Sequence, residues 1–153
     1  MYGRIASDNI IGAVQNEQAY KLALRAVRFW AVKRGLYSVN CGYFSGITLS
    51  VMVARICQDF PELSACCILY NFFERYAESD WREPVQITLK TKQGKNLIAS
   101  HLNALDRISN DVMVVLVPID QIKNTSYKVS EHTFDTICTE LHRARTIMKK
   151  LAP

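Results

Sequence analysis

Leu24-Arg25-Ala26-Val27-Arg28-Phe29-Trp30-Ala31-Val32-Lys33-Arg34-Gly35-Leu36-Tyr37-Ser38 reads as a basic helix that halts at a glycine and delivers a tyrosine into a loop. Traced back to Glu17, the apolar spacing of Leu22, Ala26, Phe29 and Trp30 predicts the buried face, broadened by Ala23 and Val27. Glu17 suits the positive end of the helix dipole, and Lys33 and Arg34 suit the negative end. Gly35 suits a left-handed stop. From Lys21 to Arg34 there are five basic side chains and no acidic one. Such a surface faces either solvent or a polyanion, and charge alone does not choose between them.

Working outward, Met1–Ala6 carries no clear element. Asp8 can cap a short helix over Asn9–Val14, with Ile10, Ile11 and Val14 on one side. Downstream, Leu36–Ser45 reads as a loop, with Ser45 as the cap of the next helix. Ile47–Phe60 is almost wholly apolar apart from Arg55 and Gln58, which predicts a helix buried on several faces. Pro61 predicts the first turn of a further helix reaching about Glu78. Leu63, Cys66, Cys67, Leu69, Phe72, Phe73 and Tyr76 are expected on its inner side. Val85, Ile87 and Leu89 alternate, Gln93-Gly94 can turn, and Leu97-Ile98 can return, so a small β-hairpin is expected over Pro84–Ala99. Val112–Val117 is a short extended run or buried connector ended by Pro118. Ser130 caps a last amphipathic helix carrying Phe134, Ile137, Cys138, Leu141 and Met148, with Lys149 and Lys150 toward its C-terminal end. The fold class is therefore mainly α, with three long helices supplying most of the core.

Composition bounds the function. A chain of 153 residues fits one domain able to bury roughly 70% of its unfolded surface. Apolar content of 49% with 22% charged residues is globular, not disordered. A formal charge of +5 permits a nucleotide or nucleic-acid partner without establishing one. Five cysteines without a CxxC pair argue against a disulfide framework and for a reducing intracellular compartment, most of them as buried apolar thiols. Isolated histidines and scattered cysteines lack metal-ligand spacing. No run of 18 apolar residues predicts a membrane span.

The order of several local blocks resembles the central domain of eukaryotic-type poly(A) polymerases. Leu24–Ser38 is similar to the family's LRAIKxWAKRxxIYS block. Val53-Ala54-Arg55-Ile56-Cys57-Gln58 is similar to its VARxCQ helix, with Pro61 at the family's proline. Phe72-Phe73 stands at its lysine-phenylalanine-phenylalanine element. Trp81 with Pro84-Val85 resembles its tryptophan followed by NPV. Asn124-Thr125-Ser126-Tyr127-x-Val129-Ser130 resembles its NSTYNVS turn. The similarity runs from about Tyr2 to Arg145, with an apparent insertion near Ser109–Val112.

The resemblance implies a helical central domain of poly(A) polymerase type over residues 1–153. It would be one part of a polynucleotide adenylyltransferase that adds AMP from ATP to RNA 3′ ends. In that family an N-terminal domain carries three catalytic aspartates for two metal ions, and a C-terminal domain holds RNA. Neither is expected within this chain, whose aspartates lack the needed spacing. Catalytic and metal residues are thus expected to be absent here, and the chain alone inactive. Mg2+ or Mn2+ with ATP would serve the complete enzyme. The implied partners are ATP, an RNA 3′ end and proteins of the polyadenylation machinery, with no membrane. The implied location is the nucleus.

Carried over residue by residue, the resemblance assigns nucleotide binding to Arg28, Tyr37, Gly46 and Ile47. Arg28 stands at a nucleotide-contacting lysine, Tyr37 near the triphosphate, and Ile47 near the base. Four positions depart from the family: Tyr2 for asparagine, Val32 for lysine, Val39 for asparagine and Ser45 for the first glycine of a pair. Lys33 does not automatically replace the missing lysine, because one residue along a helix turns a side chain by about 100°. In a loop such compensation is easier, so Asn40 joins the nucleotide-binding set. Tyr43 and Phe44 are loop candidates for stacking on a base, and Lys128 with the basic stretch Arg143–Lys150 for approaching RNA. The departures keep two rivals open. One is a catalytically inactive scaffold or protein-interaction domain; the other is an autonomous RNA-binding module with strongly salt-dependent affinity.

Overall fold

A computed structural model describes residues 2–89, 108, 110–119 and 123–151. Its helices are α1 (Tyr2–Ala13), α2 (Glu17–Lys33), α3 (Gly46–Asp59), α4 (Ala65–Ala77) and α5 (Glu131–Leu151), with a 3-10 turn at Val39–Cys41. The mainly helical architecture agrees with the sequence reading. α3 is the hub: Leu49, Val51, Met52, Val53, Ala54 and Ile56 are sealed from solvent, and α1, α2 and α4 pack around them. α5 closes the far side of α4.

The helix ends follow local hydrogen-bond chemistry. Asn16 Oδ1 accepts from Ala19 N at 3.0 Å and opens α2. At its other end Gly35 N donates to Val32 O and Leu36 N to Ala31 O, with Gly35 at φ 72°. These paired bonds form a Schellman stop that only a residue tolerant of positive φ closes cheaply. Leu36 is then buried directly under it. Ser45 Oγ accepts from Thr48 N and caps α3. Ser130 and Thr133 cap α5 reciprocally, each backbone N–H donating to the other's hydroxyl.

Several expectations are corrected. α1 begins at Tyr2, a full two turns before Asn9, because Ala6, Ile10 and Ala13 continue one buried stripe at i, i+4 and i+7. Asp8 lies inside this helix, and Ile11 faces outward while Ile10 and Val14 are buried. α4 starts at Ala65, not at Pro61. Ser64 offers a side-chain acceptor to Cys67 N, which Pro61 cannot, so Pro61 sits in the preceding turn. Cys66 and Cys67 are exposed and Ile68 takes the inner position. Cys41 is exposed as well, so among the cysteines only Cys57 is fully buried. Burial pushes its thiol up to about 11.

The largest correction concerns α2. Its buried face is Ala19, Tyr20, Ala23, Val27 and Ala31. Leu22 and Phe29 remain 58% and 65% exposed on the opposite side. Small residues at Ala23 and Ala31 let α2 lie close against α3, which a Leu22–Phe29 face would prevent. Trp30 is half-buried on the flank, edge-on to Phe73 at 4.9 Å. From there aromatic contacts run through Phe72, Tyr76 and Trp81 to Phe134 on α5.

The turn and return strand of the expected hairpin, 90–99, lie outside the described residues. The described part pairs elsewhere: Val85 bridges Val115 in parallel, and Leu116 bridges Asn124 antiparallel. Val112–Val117 is thus an extended connector, buried from Met113 to Leu116. Asn124 pins it from inside. Its Oδ1 accepts from Val115 N and Ser126 N, and its Nδ2 donates to Met113 O and Asp111.

Candidate nucleotide site at the start of α3

Arg28 leaves α2 on the flank nearest the first turn of α3. One terminal nitrogen, Nη2, donates to Gly46 O and to Ser50 Oγ, each at 3.4 Å. Those distances are long for a charged donor, whose bonds to carboxylates are usually about 2.7–2.9 Å. Among the described residues Arg28 has no carboxylate partner, and it is exposed. Its guanidinium is aimed but not neutralised. The positive end of the α3 dipole adds to the same field.

Tyr37 follows directly from the Schellman stop and stands 40% exposed. Its hydroxyl comes so close to Gly46 that a Cβ built there would lie 2.8 Å from it and 3.2 Å from Arg28 Nη2. A side chain at position 46 would therefore push the Tyr37 hydroxyl and the Arg28 guanidinium from their present places, although the backbone there needs no glycine. Arg28, Tyr37 and Gly46 thus converge on one point. Ile47, the next residue, lines an adjoining cavity of about 360 Å3 with Val39, Ser45, Thr125 and Tyr127. A relay of hydroxyls borders it: Ser45 meets Thr48 at 2.7 Å, Thr48 donates to Thr125 at 3.0 Å, and Thr125 donates to Val115 O.

Asn40 is not brought to these atoms. It is exposed on the 3-10 turn, where its Oδ1 accepts from Lys128 Nζ at 3.1 Å. Its neighbour Val39 lines the cavity instead. Phe44 is sealed in the core and cannot stack on a base, whereas Tyr43 is half-buried. One residue that orients the site, Ser50, went unread in the sequence, as did the buried Tyr20 nearby. Ser50 donates to Gly46 O at 2.7 Å and accepts from Arg28. Tyr20 is buried beneath; burial raises its phenol pKa, while Ser50 and Arg28 pull it back down. The available signal was spacing: Ser50 is one turn after Gly46, where a serine hydroxyl can bond back to the i−4 carbonyl.

Among the described residues no three His, Cys, Asp or Glu side chains gather to hold a metal ion, and no helix is long and apolar enough to cross a membrane. The geometry offers a phosphate-sized anion a guanidinium unpaired with any carboxylate among the described residues, a phenol and a helix start, beside an apolar cavity.

Comparison with known proteins identifies the family of the chain. The family described as poly(A) polymerase central domain matches residues 19–153. A poly(A) polymerase of Dictyostelium discoideum is 29% identical over 145 residues, covering 95% of this chain and 18% of that protein. Nuclear poly(A) polymerase 1 of Arabidopsis thaliana is 30% identical over 147 residues, covering 95% of this chain and 20% of its own length. The chain thus spans about a fifth of the curated relatives it matches. It belongs to the poly(A) polymerase central domain family.

Proposed function

We propose that this chain is the nucleotide-binding central part of a polynucleotide adenylyltransferase that extends RNA 3′ ends with AMP from ATP. The observation that carries the reading is the convergence of Arg28, Tyr37 and Gly46, with no carboxylate among the described residues to quench the guanidinium. In the reaction a 3′ hydroxyl gives up its proton to solvent, its oxygen bonds to the α-phosphorus of ATP, and the bond from that phosphorus to the oxygen bridging the β-phosphate breaks. Pyrophosphate leaves with its negative charge. Arg28 supplies forked N–H donors to the phosphates, and the Tyr37 hydroxyl supplies one more where charge builds up. The apolar wall at Ile47 and Val39 takes the base, with the Thr125 and Ser45 hydroxyls as its polar rim. Asn40 has its Oδ1 engaged by Lys128, so it would meet the nucleotide through its Nδ2 donors.

The described residues do not fit a pair of divalent ions, since no carboxylate cluster is present. Mg2+ or Mn2+ would enter with ATP on aspartates of a separate catalytic domain, and these 153 residues alone would not polymerise. An RNA 3′ end, partners from the polyadenylation machinery and a nuclear site of action complete the proposal; the Arabidopsis relatives named nuclear support the last. Val39 at the cavity, where the family carries asparagine, favours one second reading: an inactive scaffold on the same fold.

The test is primer extension by the complete gene product with ATP, UTP, CTP and GTP offered separately. Growth with ATP alone supports the enzyme. A folded protein that extends with no nucleotide supports the scaffold. Growth with another nucleotide overturns the adenylyl assignment.

A further inference from the structure

α2 turns apolar side chains to solvent on the face opposite its core. Leu22 and Phe29 recur at i and i+7 there, with Val32 beside them, all more than half exposed. Round the flank, Ala26 and Trp30 form one wall of a groove whose other wall is α5, at Ala144, Ile147 and Met148, with Phe73 of α4 also lining it. Ile147 is 49% exposed at its mouth. The groove holds about 210 Å3 and its lining is mostly apolar. That is below the range of about 300–1,000 Å3 usual for small-molecule sites, and it suits one large side chain inserted from a partner.

Charge around this face is one-sided. Arg34 and Arg143 both address Glu140, the only acid lining the groove. Arg34 takes that carboxylate with two bonds of 2.6 and 2.9 Å, leaving Arg143 at 3.9 Å and largely in solvent. The pull of Arg34, then Arg143, holds the Glu140 carboxyl below its ordinary range. Arg25 and Lys33 flank the Leu22–Phe29 ridge, and Lys150 follows Ile147 on the α5 stripe. Among the described residues none of the three has an ion-pair partner. Lys33 rests over the Phe29 ring at 5.5 Å instead.

We infer that the α2–α5 face is a docking surface for an acidic amphipathic helix of a partner protein. One large apolar side chain of that helix enters the groove between Trp30 and Ile147, and its carboxylates meet Arg25, Lys33 and Arg143. An apolar seam rimmed by one sign of charge selects a helix of matching pattern and opposite sign. The groove between Trp30 and Ile147 lies on the opposite flank of α2 from Arg28, although Arg25 and Val32 stand one turn from Arg28 along the helix. The inference therefore stands without the proposed reaction.

The test uses the complete gene product with two synthetic peptides of about 18 residues, above the length at which isolated helices are marginal. Both carry the same Leu and Phe stripe; one has Glu flanks and the other Lys flanks. Fluorescence anisotropy should show the Glu-flanked peptide binding at least about tenfold more tightly, and weakening as salt rises. Ile147→Glu should cut that affinity about tenfold or more, and Arg143→Glu should shrink the preference between the peptides. Both side chains are exposed, and circular dichroism checks that both variants remain folded. Equal affinity for the two peptides, no binding of either, or binding unchanged by Ile147→Glu overturns the inference. So does sedimentation showing a dimer that Ile147→Glu dissolves, because the occupant is then a second copy of this chain.

Discussion

Arg145 and Arg28 are both arginines reaching between helices, and they are held in opposite ways. Arg145 on α5 grips Glu74 of α4 with two bonds of 3.0 and 2.8 Å and also meets Glu78. Lys149 joins Glu74 at 3.2 Å. The Arg145 bonds hold the Glu74 carboxyl down at about 2 from its ordinary 4.5, against the opposing effect of desolvation. Among the described residues Arg28 has only a carbonyl and a hydroxyl, both at 3.4 Å. One guanidinium is consumed by the fold, and the other is aimed and left available. A charged side chain that neutral groups orient can bind a ligand without first breaking an ion pair.

The comparison breaks first at Arg28. Arg28→Ala in the complete enzyme should lower kcat/KM for ATP about 10- to 100-fold, the scale of one charged hydrogen-bonding contact. Thermal denaturation should barely move. A large drop in Tm with unchanged kinetics would make Arg28 a second Arg145. Gly46→Ala sharpens the same point. Its Cβ must displace the Tyr37 hydroxyl or Arg28 Nη2, so about a tenfold loss in kcat/KM is expected, close to that of Tyr37→Phe. Its folding stability should shift by less than about 1 kcal/mol. Wild-type kinetics in Gly46→Ala would remove the crowding argument.

Arg145→Ala should do the reverse, leaving nucleotide kinetics alone and changing the acid limb of stability. Glu74 has a depressed pKa, so its contribution is complete above about 4.5 and is lost as pH falls toward about 2. Melting curves across that window should fall more steeply in wild type than in Arg145→Ala. Parallel curves would show that the clamp contributes nothing. The smallest effect is chemical: Cys41, Cys66 and Cys67 should take up a maleimide readily, whereas Cys57, buried and raised to about 11, should resist until unfolding. Fast labelling of Cys57 in the native protein would contradict its burial.

Legibility followed the range of the forces. The stop at Gly35 and the caps at Ser45 and Ser130 were readable because each is satisfied by atoms a few residues away. The start of α4 was misread because proline is a strong token, yet Ser64 supplies the acceptor a helix start needs. The buried side of α2 was not readable, since Leu22, Leu24, Ala26, Phe29, Trp30 and Val32 put apolar groups on most of its circumference. Periodicity cannot rank faces when several are apolar. Family resemblance pointed to Arg28, Tyr37, Gly46 and Ile47; the fold brings the first three together and sets Ile47 on the cavity beside them, and their binding of a nucleotide is the proposal the kinetics test. Asn40 was expected to stand in for Val39, and one residue of shift turned it to Lys128 instead.

By itself the sequence determined a mainly helical chain, the ends of most of its helices and the family to which its ordered blocks belong. Those depend on hydrogen bonds and residue types that are local in the chain. Only the tertiary structure decided which face of α2 is core, which arginine is neutralised and which side chains orient the free one. Each of these turns on partners distant in sequence, Ser50 for Arg28 and Glu74 for Arg145, and on the close packing that admits alanine where leucine would not fit.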